Sequence, residues 1–315
     1  MNAPVSKARA SESLAGLTDI AFKLRKIRVR SHQTRYGAAS LPSLPSRAAT
    51  NGAIDELIAA FFPRHFGPPG LSGDALDDFV AYALTQGLAS LERQIRRELD
   101  LAAAQSGRAE DTGVTARDIV TTYAADLPSI REMLETDIRA AFEGDPAAGS
   151  LDEVMSCYPG VLAIIRHRLA HPLYRLGLRM LARMISETSH SQTGIDIHPG
   201  ATIGEAFFID HGTGVVIGET AIVGRGVRLY QGVTLGARRF ETGGDGLLAK
   251  DYPRHPILED DVVVYAGASI LGRITVGRGS VIAGSVWLTH SVPPHSQVSQ
   301  ARARNEDAFE GGGGI

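Results

Sequence analysis

Branched aliphatic residues return at every sixth position through much of the C-terminal half of the chain, and this repeat limits the possible folds sharply. A spacing of six fits neither an α-helix, with a period of about 3.6, nor a β-strand, with a period of about 2. It is typical of a parallel β-helix built from hexapeptide turns, in which each short side points one aliphatic side chain inward. The repeat comprises Ile197, Ile203, Ile209, Ile217, Val223, Leu229, Leu235, Leu258, Val264, Ile270, Val276, Ile282 and Leu288.

The repeat is interrupted twice. From Ile209 to Ile217 the step is eight residues, and the extra residues fall within Ile-Asp-His-Gly-Thr-Gly, residues 209–214. From Leu235 to Leu258 the step is 23, which predicts an excursion loop that ends in Tyr-Pro-Arg-His-Pro, residues 252–256. Each interruption therefore contains one histidine, and loops on rigid scaffolds are where functional residues concentrate.

The region before the coil has a helical pattern, and together the two halves predict an α+β fold. Apolar residues recur there at intervals of three and four, as on one face of an α-helix. We predict a basic, disordered extension over residues 1–50, an α-helical domain over 51–190, the β-helix over 191–298 and a flexible tail over 299–315. The extension carries nine Lys or Arg against Glu12 and Asp19, and the tail ends in four glycines and Ile315.

Bulk composition excludes several classes of protein. A formal net charge of -3 argues against nucleic acid as the main partner. One cysteine rules out an intramolecular disulfide framework and fits a reducing compartment. No apolar run approaches the roughly 18 residues that a membrane span needs. The sequence therefore predicts a cytoplasmic protein that binds neither nucleic acid nor membranes.

Several segments resemble bacterial serine O-acetyltransferases. They are Asp-Ile-His-Pro at 196–199, Asp-His-Gly-Thr-Gly-Val-Val-Ile-Gly-Glu-Thr at 210–220, Gly-Val-Thr-Leu-Gly at 232–236 and Arg-His-Pro at 254–256. The repeat alone indicates only an acyltransferase-like superfamily, whereas the long segment followed by Arg-His-Pro is much more specific. The resemblance implies a left-handed coil and transfer of the acetyl group of acetyl-CoA to L-serine. The product is O-acetyl-L-serine, in the first step of cysteine biosynthesis from serine.

Acetyl transfer from a thioester to a hydroxyl needs a base that takes the hydroxyl proton, and His211 is the candidate. A neutral imidazole, with an ordinary pKa near ~6.5, suits this role at physiological pH. The resemblance implies that Asp196 is the carboxylate that orients the ring, and that His255 helps to position the substrate. We expect one crevice to join His211 and Asp196 to Arg254.

A bound amino acid also needs both of its charges paired once it leaves water. The resemblance implies that Asp145 and Asp210 hold the substrate ammonium and that Arg254 grips the carboxylate, which a guanidinium can do with two parallel hydrogen bonds. Glu219, after a glycine at a corner, is expected to organise the substrate site. Asp145 precedes Pro146, where aspartate is also ordinary turn chemistry.

Acetyl-CoA is expected along the groove between neighbouring coils, where small residues let the cofactor approach the main chain. By resemblance the lining includes Gly236, Ala237, Ala266 and Gly267, and the reaction needs no metal. The loop at 237–256 departs from the family, since it is longer and more charged than the short glycine-rich loop of many relatives.

Two alternative functions stay open at this point. One is a zinc hydratase like the γ-type carbonic anhydrases, because His255, His290 and His295 have suggestive spacing. The other is an acetyltransferase for a different hydroxyl, such as that of homoserine or a sugar, or a scaffold without activity.

Assembly and partners follow from the coil and the resemblance together. Flat faces favour a homotrimer with sites between neighbouring coils, and the helical halves could pair two trimers. L-Cysteine mimics serine and is expected to act as a feedback inhibitor at the same site. The resemblance also implies that the tail ending in Ile315 enters cysteine synthase.

Overall fold

The structure is a computed structural model that describes residues 7–37, 42–106, 114–239, 242–243 and 246–300. The chain divides into two compact units, residues 1–44 with 99–113 and residues 45–98 with 114–315. The second unit contains every described residue of the predicted site. The end of the predicted tail, residues 301–315 with Ile315, lies outside the described residues.

The N-terminal half is helical, as its apolar periodicity predicts. Of the residues that the structure describes, those before the coil form α1 (Lys7–Tyr36), α2 (Arg47–Phe61), α3 (Pro63–Phe66), α4 (Asp74–Ser106), α5 (Ala116–Gly144), α6 (Leu151–Cys157), α7 (Pro159–Arg175) and α8 (Arg179–Thr193). None of these helices combines the length and apolar character that crossing a bilayer requires.

Helix α1 occupies much of the region that the sequence predicts to be disordered. Its described side chains are mostly exposed, including those of Leu17 and Leu24. The physical reason for the difference is local: the segment is rich in Lys, Arg, Ala and Leu, which are good helix formers. An ion pair of 2.6 Å between Asp19 and Lys23, one turn apart, adds to this.

The C-terminal half is the predicted left-handed parallel β-helix. The first sheet contains β1 (Asp196–Ile197), β4 (Val216–Ile217), β7 (Thr234–Gly236), β10 (Ser269–Leu271) and β13 (Trp287–Leu288). The second contains β2 (Thr202–Ile203), β5 (Ile222–Val223), β8 (Ile257–Leu258) and β11 (Thr275–Val276). The third contains β3 (Phe208–Ile209), β6 (Arg228–Leu229), β9 (Val263–Val264), β12 (Val281–Ile282) and β14 (Gln297–Val298).

The register confirms the six-residue repeat. Each of the thirteen predicted aliphatic positions is the residue of its strand that points inward, and none is more than 6% exposed. Successive coils place them directly above one another, as in the pairs Ile197 with Ile217 and Ile217 with Leu235. The core of the prism is therefore a stack of aliphatic side chains.

A buried ion pair ties the helices to the coil. Arg168 of α7 donates to both carboxylate oxygens of Asp137 of α5 at 3.0 Å, and also to the carbonyl oxygens of Ile203 and Gly204. Asp137 in turn accepts the backbone N–H of Phe207 at 2.9 Å. A buried charge is tolerated only when it is paired and hydrogen-bonded in this way. The pair fixes α5 and α7 against the first coil, next to the predicted site.

Candidate active site

The predicted site residues lie at two different edges of the triangular coil. The edge between the third and first sheets carries residues 210–214, and we call it the His211 edge. The edge between the first and second sheets carries Glu219, Thr220 and residues 251–256, and we call it the Arg254 edge. One side of the prism separates them, roughly 15 Å at ~3.3 Å per residue. A single chain therefore does not form the crevice that was expected to join His211 to Arg254.

The backbone of the His211 edge is unusual where the repeat gains two residues. His211 has a φ of 58°, in the left-handed region that residues other than glycine rarely adopt. Gly212 follows with a φ of 86°, and a Cβ there would lie 2.4 Å from Ile195 Cδ1. This bulge turns the His211 side chain outward, and it is 71% exposed. Strained backbone of this kind is common at functional sites.

Two carboxylates lie close to the His211 ring. Asp210 Oδ1 is 3.8 Å from His211 Nε2. Asp145, just after α5, accepts the Tyr158 hydroxyl with Oδ2 and the Ala147 N–H with Oδ1 at 2.8 Å. The hydrogen bond from Tyr158, the one from Ala147 and the nearby charge of His211 lower the pKa of Asp145. The edge therefore presents two carboxyl groups near an exposed imidazole, which suits an ammonium group.

Asp196 lies at the same edge but does not contact His211. The corner is stacked on the preceding coil, since the Gly214 N–H donates to the Gly194 carbonyl at 2.9 Å and Gly212 packs on Ile195. Asp196 follows directly and begins β1 with a partly exposed side chain. Among the described residues no hydrogen bond joins Asp196 to His211. Its role as the orienting carboxylate remains a prediction.

At the Arg254 edge, Glu219 connects a helix to the excursion loop. Its Oε1 accepts the Tyr174 hydroxyl at 2.6 Å, and its Oε2 accepts Arg254 Nη2 at 2.5 Å. Burial raises the pKa of Glu219, but the hydrogen bonds from Tyr174 and Arg254 outweigh it, so the pKa lies below its ordinary value. Arg254 Nη1 also donates to the Tyr252 carbonyl at 3.3 Å.

His255 is buried at this edge, in contrast to His211. Its Nδ1 accepts the Thr220 N–H at 3.0 Å, so the proton of the neutral ring lies on Nε2. Burial and the charge of Arg254 lower its pKa to about 4. The ring covers Gly218, where a Cβ would lie 2.0 Å from His255 Cδ2. His255 is thus a fixed, neutral wall residue within one chain.

The predicted cofactor residues divide between the same two edges. Gly236 ends β7 and Ala237 follows it at the Arg254 edge, whereas Ala266 and Gly267 follow β9 at the His211 edge. A cavity of about 380 Å³ at the Arg254 edge has Tyr174, Glu219 and Tyr252 in its lining.

The histidines of the zinc alternative do not converge. His255 precedes β8 of the second sheet, whereas His295 lies between that sheet and β14 of the third. Within the part of the chain that the structure describes, no three His, Cys, Asp or Glu side chains form a group that could hold a metal ion. The placement of these residues therefore gives no support to a γ-carbonic-anhydrase-like site.

Sequence reasoning missed two tyrosines, Tyr158 and Tyr174, that hold the carboxylates of the two edges. Tyr158 is the N-cap of α7 but makes no side-chain capping bond. Because Ser, Thr, Asp or Asn is usual at an N-cap, a tyrosine at this position is a weak indication of another role. Tyr174 lies in the last turn of α7, and no feature of the sequence marks it.

Comparison with known proteins gives a consistent set of relatives. The serine acetyltransferase, plasmid, of Synechococcus elongatus is 54% identical over 276 residues, which span 86% of each chain. The serine acetyltransferase of Bacillus subtilis is 53% identical over 167 residues, 53% of this chain and 72% of the relative. A comparison with protein-family models finds no match.

Solved structures agree with the sequence relatives. The crystal structure of Entamoeba histolytica serine acetyltransferase 1 in complex with L-cysteine has a TM-score of 0.69 and 35% identity, over 90% of this chain and 97% of that one. The Neisseria gonorrhoeae serine acetyltransferase in complex with serine has a TM-score of 0.52 and 27% identity, over 81% and 96%.

Proposed function

The chain belongs to the serine acetyltransferase family, and we propose that it transfers the acetyl group of acetyl-CoA to the hydroxyl of L-serine, with His211 as general base. The products are O-acetyl-L-serine and CoA. The observation that carries this proposal is the 54% identity over most of both chains. The exposed imidazole between Asp145 and Asp210 supplies the matching chemistry.

The reaction needs one proton transfer in each direction. The serine hydroxyl oxygen attacks the acetyl carbonyl carbon while His211 takes the hydroxyl proton. The carbon–sulfur bond then breaks, and the imidazolium returns the proton to the CoA thiolate. A carboxylate near the ring stabilises the imidazolium between these steps, and in this proposal Asp196 does so.

Serine would be held by both edges at once. Asp145 and Asp210 pair with its ammonium, and Arg254 pairs with its carboxylate. Serine is far shorter than the side of the prism that separates these groups in one chain. The site is therefore completed by a second copy, with the His211 edge of one protomer facing the Arg254 edge of its neighbour.

We propose that this arrangement closes as a homotrimer, in which each copy offers one edge to each of two neighbours. Acetyl-CoA would lie in the same cleft, between Ala266 and Gly267 of one protomer and Gly236 and Ala237 of the next. Helical halves that pair two trimers would give a hexamer.

The test of the function is a rate measurement with serine and acetyl-CoA. His211→Ala is expected to lower turnover by ~10²- to 10⁴-fold, the usual value of positioned acid–base help. His190→Ala is the matched control, since His190 is an exposed histidine at the end of α8. If the wild-type protein acetylates homoserine or a sugar in place of serine, the proposed acceptor is wrong.

Regulation and location remain finer proposals. The relative with bound L-cysteine supports cysteine as an inhibitor that competes with serine. Deletion of Ile315 is expected to leave acetylation intact and to abolish binding of cysteine synthase, measured by calorimetry. A cytoplasmic location remains a prediction from the sequence.

A further inference from the structure

Tyr174 lies two hydrogen bonds from the proposed carboxylate-binding group without touching the substrate position. Its hydroxyl donates to Glu219 Oε1 at 2.6 Å, and Glu219 Oε2 accepts Arg254 Nη2 at 2.5 Å. We propose that Tyr174 is a positioning residue that fixes Glu219, and through it the Arg254 guanidinium, in the orientation that receives the serine carboxylate. The proposal rests on the proposed function and adds a residue to it.

The Tyr174 ring is held in a defined slot. The His198 ring meets it edge-on, with centroids 5.5 Å apart and planes at 83°. The Arg179 guanidinium lies over it, 5.5 Å from its centroid. Gly200 leaves the space that the ring needs, because a Cβ there would lie 3.0 Å from Tyr174 Cε1. The hydroxyl is therefore presented to Glu219 from a fixed direction.

Glu219 and Thr220 together hold the end of the excursion loop. Glu219 contacts the Arg254 side chain, while Thr220 Oγ1 accepts the backbone N–H groups of Arg254 at 2.9 Å and His255 at 3.1 Å. A carboxylate with both oxygens engaged has lost its freedom to rotate. The Tyr174 hydroxyl supplies one of those two restraints.

Arg254 retains donors for a substrate. A guanidinium carries five N–H groups. One from Nη2 goes to Glu219 and one from Nη1 goes to the Tyr252 carbonyl. Within the described residues the remaining donors have no protein partner, and two parallel N–H groups are enough for bidentate recognition of a carboxylate.

The protonation states suit this arrangement. Burial and the hydrogen bond to Glu219 raise the pKa of Tyr174 to about 12, so its hydroxyl stays a donor. Loss of the hydroxyl removes one of the interactions that lower the pKa of Glu219. The carboxylate would then take up a proton at higher pH, and Arg254 would lose its partner earlier as the pH falls.

The test compares two tyrosine-to-phenylalanine variants in the full chain. Tyr174→Phe is expected to raise the KM for serine about 5- to 10-fold, the size of one hydrogen bond, with kcat within about twofold and the KM for acetyl-CoA unchanged. In Tyr174→Phe the rise of the serine KM with falling pH should also begin at higher pH.

Tyr123→Phe is the matched control, because the Tyr123 hydroxyl also makes a hydrogen bond to α7, to the Leu169 carbonyl at 3.1 Å, but lies away from Glu219. It should lower the thermal midpoint and leave the serine KM unchanged. An unchanged serine KM in Tyr174→Phe, or an equal rise in both variants, overturns the positioning role.

A double variant tests the route through Glu219. If Tyr174 acts through the carboxylate, Tyr174→Phe combined with Glu219→Gln should have the serine KM of Glu219→Gln alone, within about twofold. Multiplied effects would overturn the proposal. If the wild-type protein does not acetylate serine, the proposed function itself is wrong. If the wild-type protein is active but Tyr174→Phe has an unchanged serine KM, only the positioning role is wrong.

Discussion

The two edges of the coil share a tyrosine–carboxylate hydrogen bond but differ in the exposure of their histidines. At each edge a tyrosine hydroxyl from the start or end of α7 donates to a carboxylate, Tyr158 to Asp145 and Tyr174 to Glu219. At the His211 edge the imidazole is 71% exposed and its backbone is in the left-handed region, whereas at the Arg254 edge His255 is only 6% exposed. The His211 ring is thus open to a substrate, whereas burial and the charge of Arg254 lower the pKa of His255 to about 4.

This difference suggests a division of labour between proton transfer by His211 at the first edge and recognition of the substrate carboxylate by Arg254 at the second. Loss of His211 should lower kcat, and loss of Arg254 should raise the serine KM. The predictions below start from the largest expected effect.

Arg254→Ala is expected to raise the serine KM by about 100-fold, since it removes the carboxylate partner and leaves the half-buried Glu219 unpaired. At saturating serine, kcat should fall much less than in His211→Ala. Arg225→Ala is the control, because Arg225 lies at the third edge, between the second and third sheets. A fall confined to kcat would break the division of labour.

Gly218→Ala is expected to displace the His255 ring, because its Cβ would lie 2.0 Å from Cδ2. Overpacking of this kind costs about 1–3 kcal/mol, and the serine KM should rise by roughly tenfold. Gly52→Ala, in α2 with no atom within 4 Å of the new Cβ, should be neutral or slightly stabilising. Steady-state kinetics and thermal unfolding of both variants check the comparison.

The buried imidazole of the Arg254 edge should make stability depend on pH. His255 has a pKa of about 4 in the folded protein against an ordinary value of 6.5. The unfolded chain therefore binds the proton first, and the free energy of unfolding should fall as the pH drops from about 6.5 towards 4. The thermal midpoint should decrease over this range. His255→Asn should make that slope smaller without abolishing it, because burial also lowers the pKa values of His167, His171 and His198. An equal slope in both proteins would contradict this account.

The sequence predicted the positions of the repeat better than it predicted the arrangement of the site residues. The six-residue spacing predicted the thirteen inward positions from Ile197 to Leu288, because each coil side must bury one aliphatic residue, but it did not include Val298, which pairs with Ile282 in the next coil. Counting three hexads per coil also predicts where the edges lie, and it places residues 211 and 219 at two different edges. The crevice that joins His211 to Arg254 is therefore expected between neighbouring coils of a trimer.

Other features had no local signal in the sequence. The contacts of Tyr174 with Glu219 and of Arg168 with Asp137 join residues that are 45 and 31 positions apart. The packing of α7 on the coil brings the first pair together, and the packing of α7 on α5 brings the second pair together. Pro293 and Pro294 do not end the coil, since β14 still pairs with β12 beyond them. Proline removes one donor, and the paired residues follow both prolines.

The central claim is that each active site combines the His211 edge of one protomer with the Arg254 edge of another. Mixing His211→Ala and Arg254→Ala chains in equal amounts, by co-expression, and assaying at a serine concentration near the wild-type KM, where both parent variants are nearly inactive, tests it directly. Random trimers would each contain one intact site in three whenever both chains are present, so the mixture should recover about a quarter of wild-type activity. Activity no higher than that of the two parent variants would show that both edges act within one chain and would contradict the account.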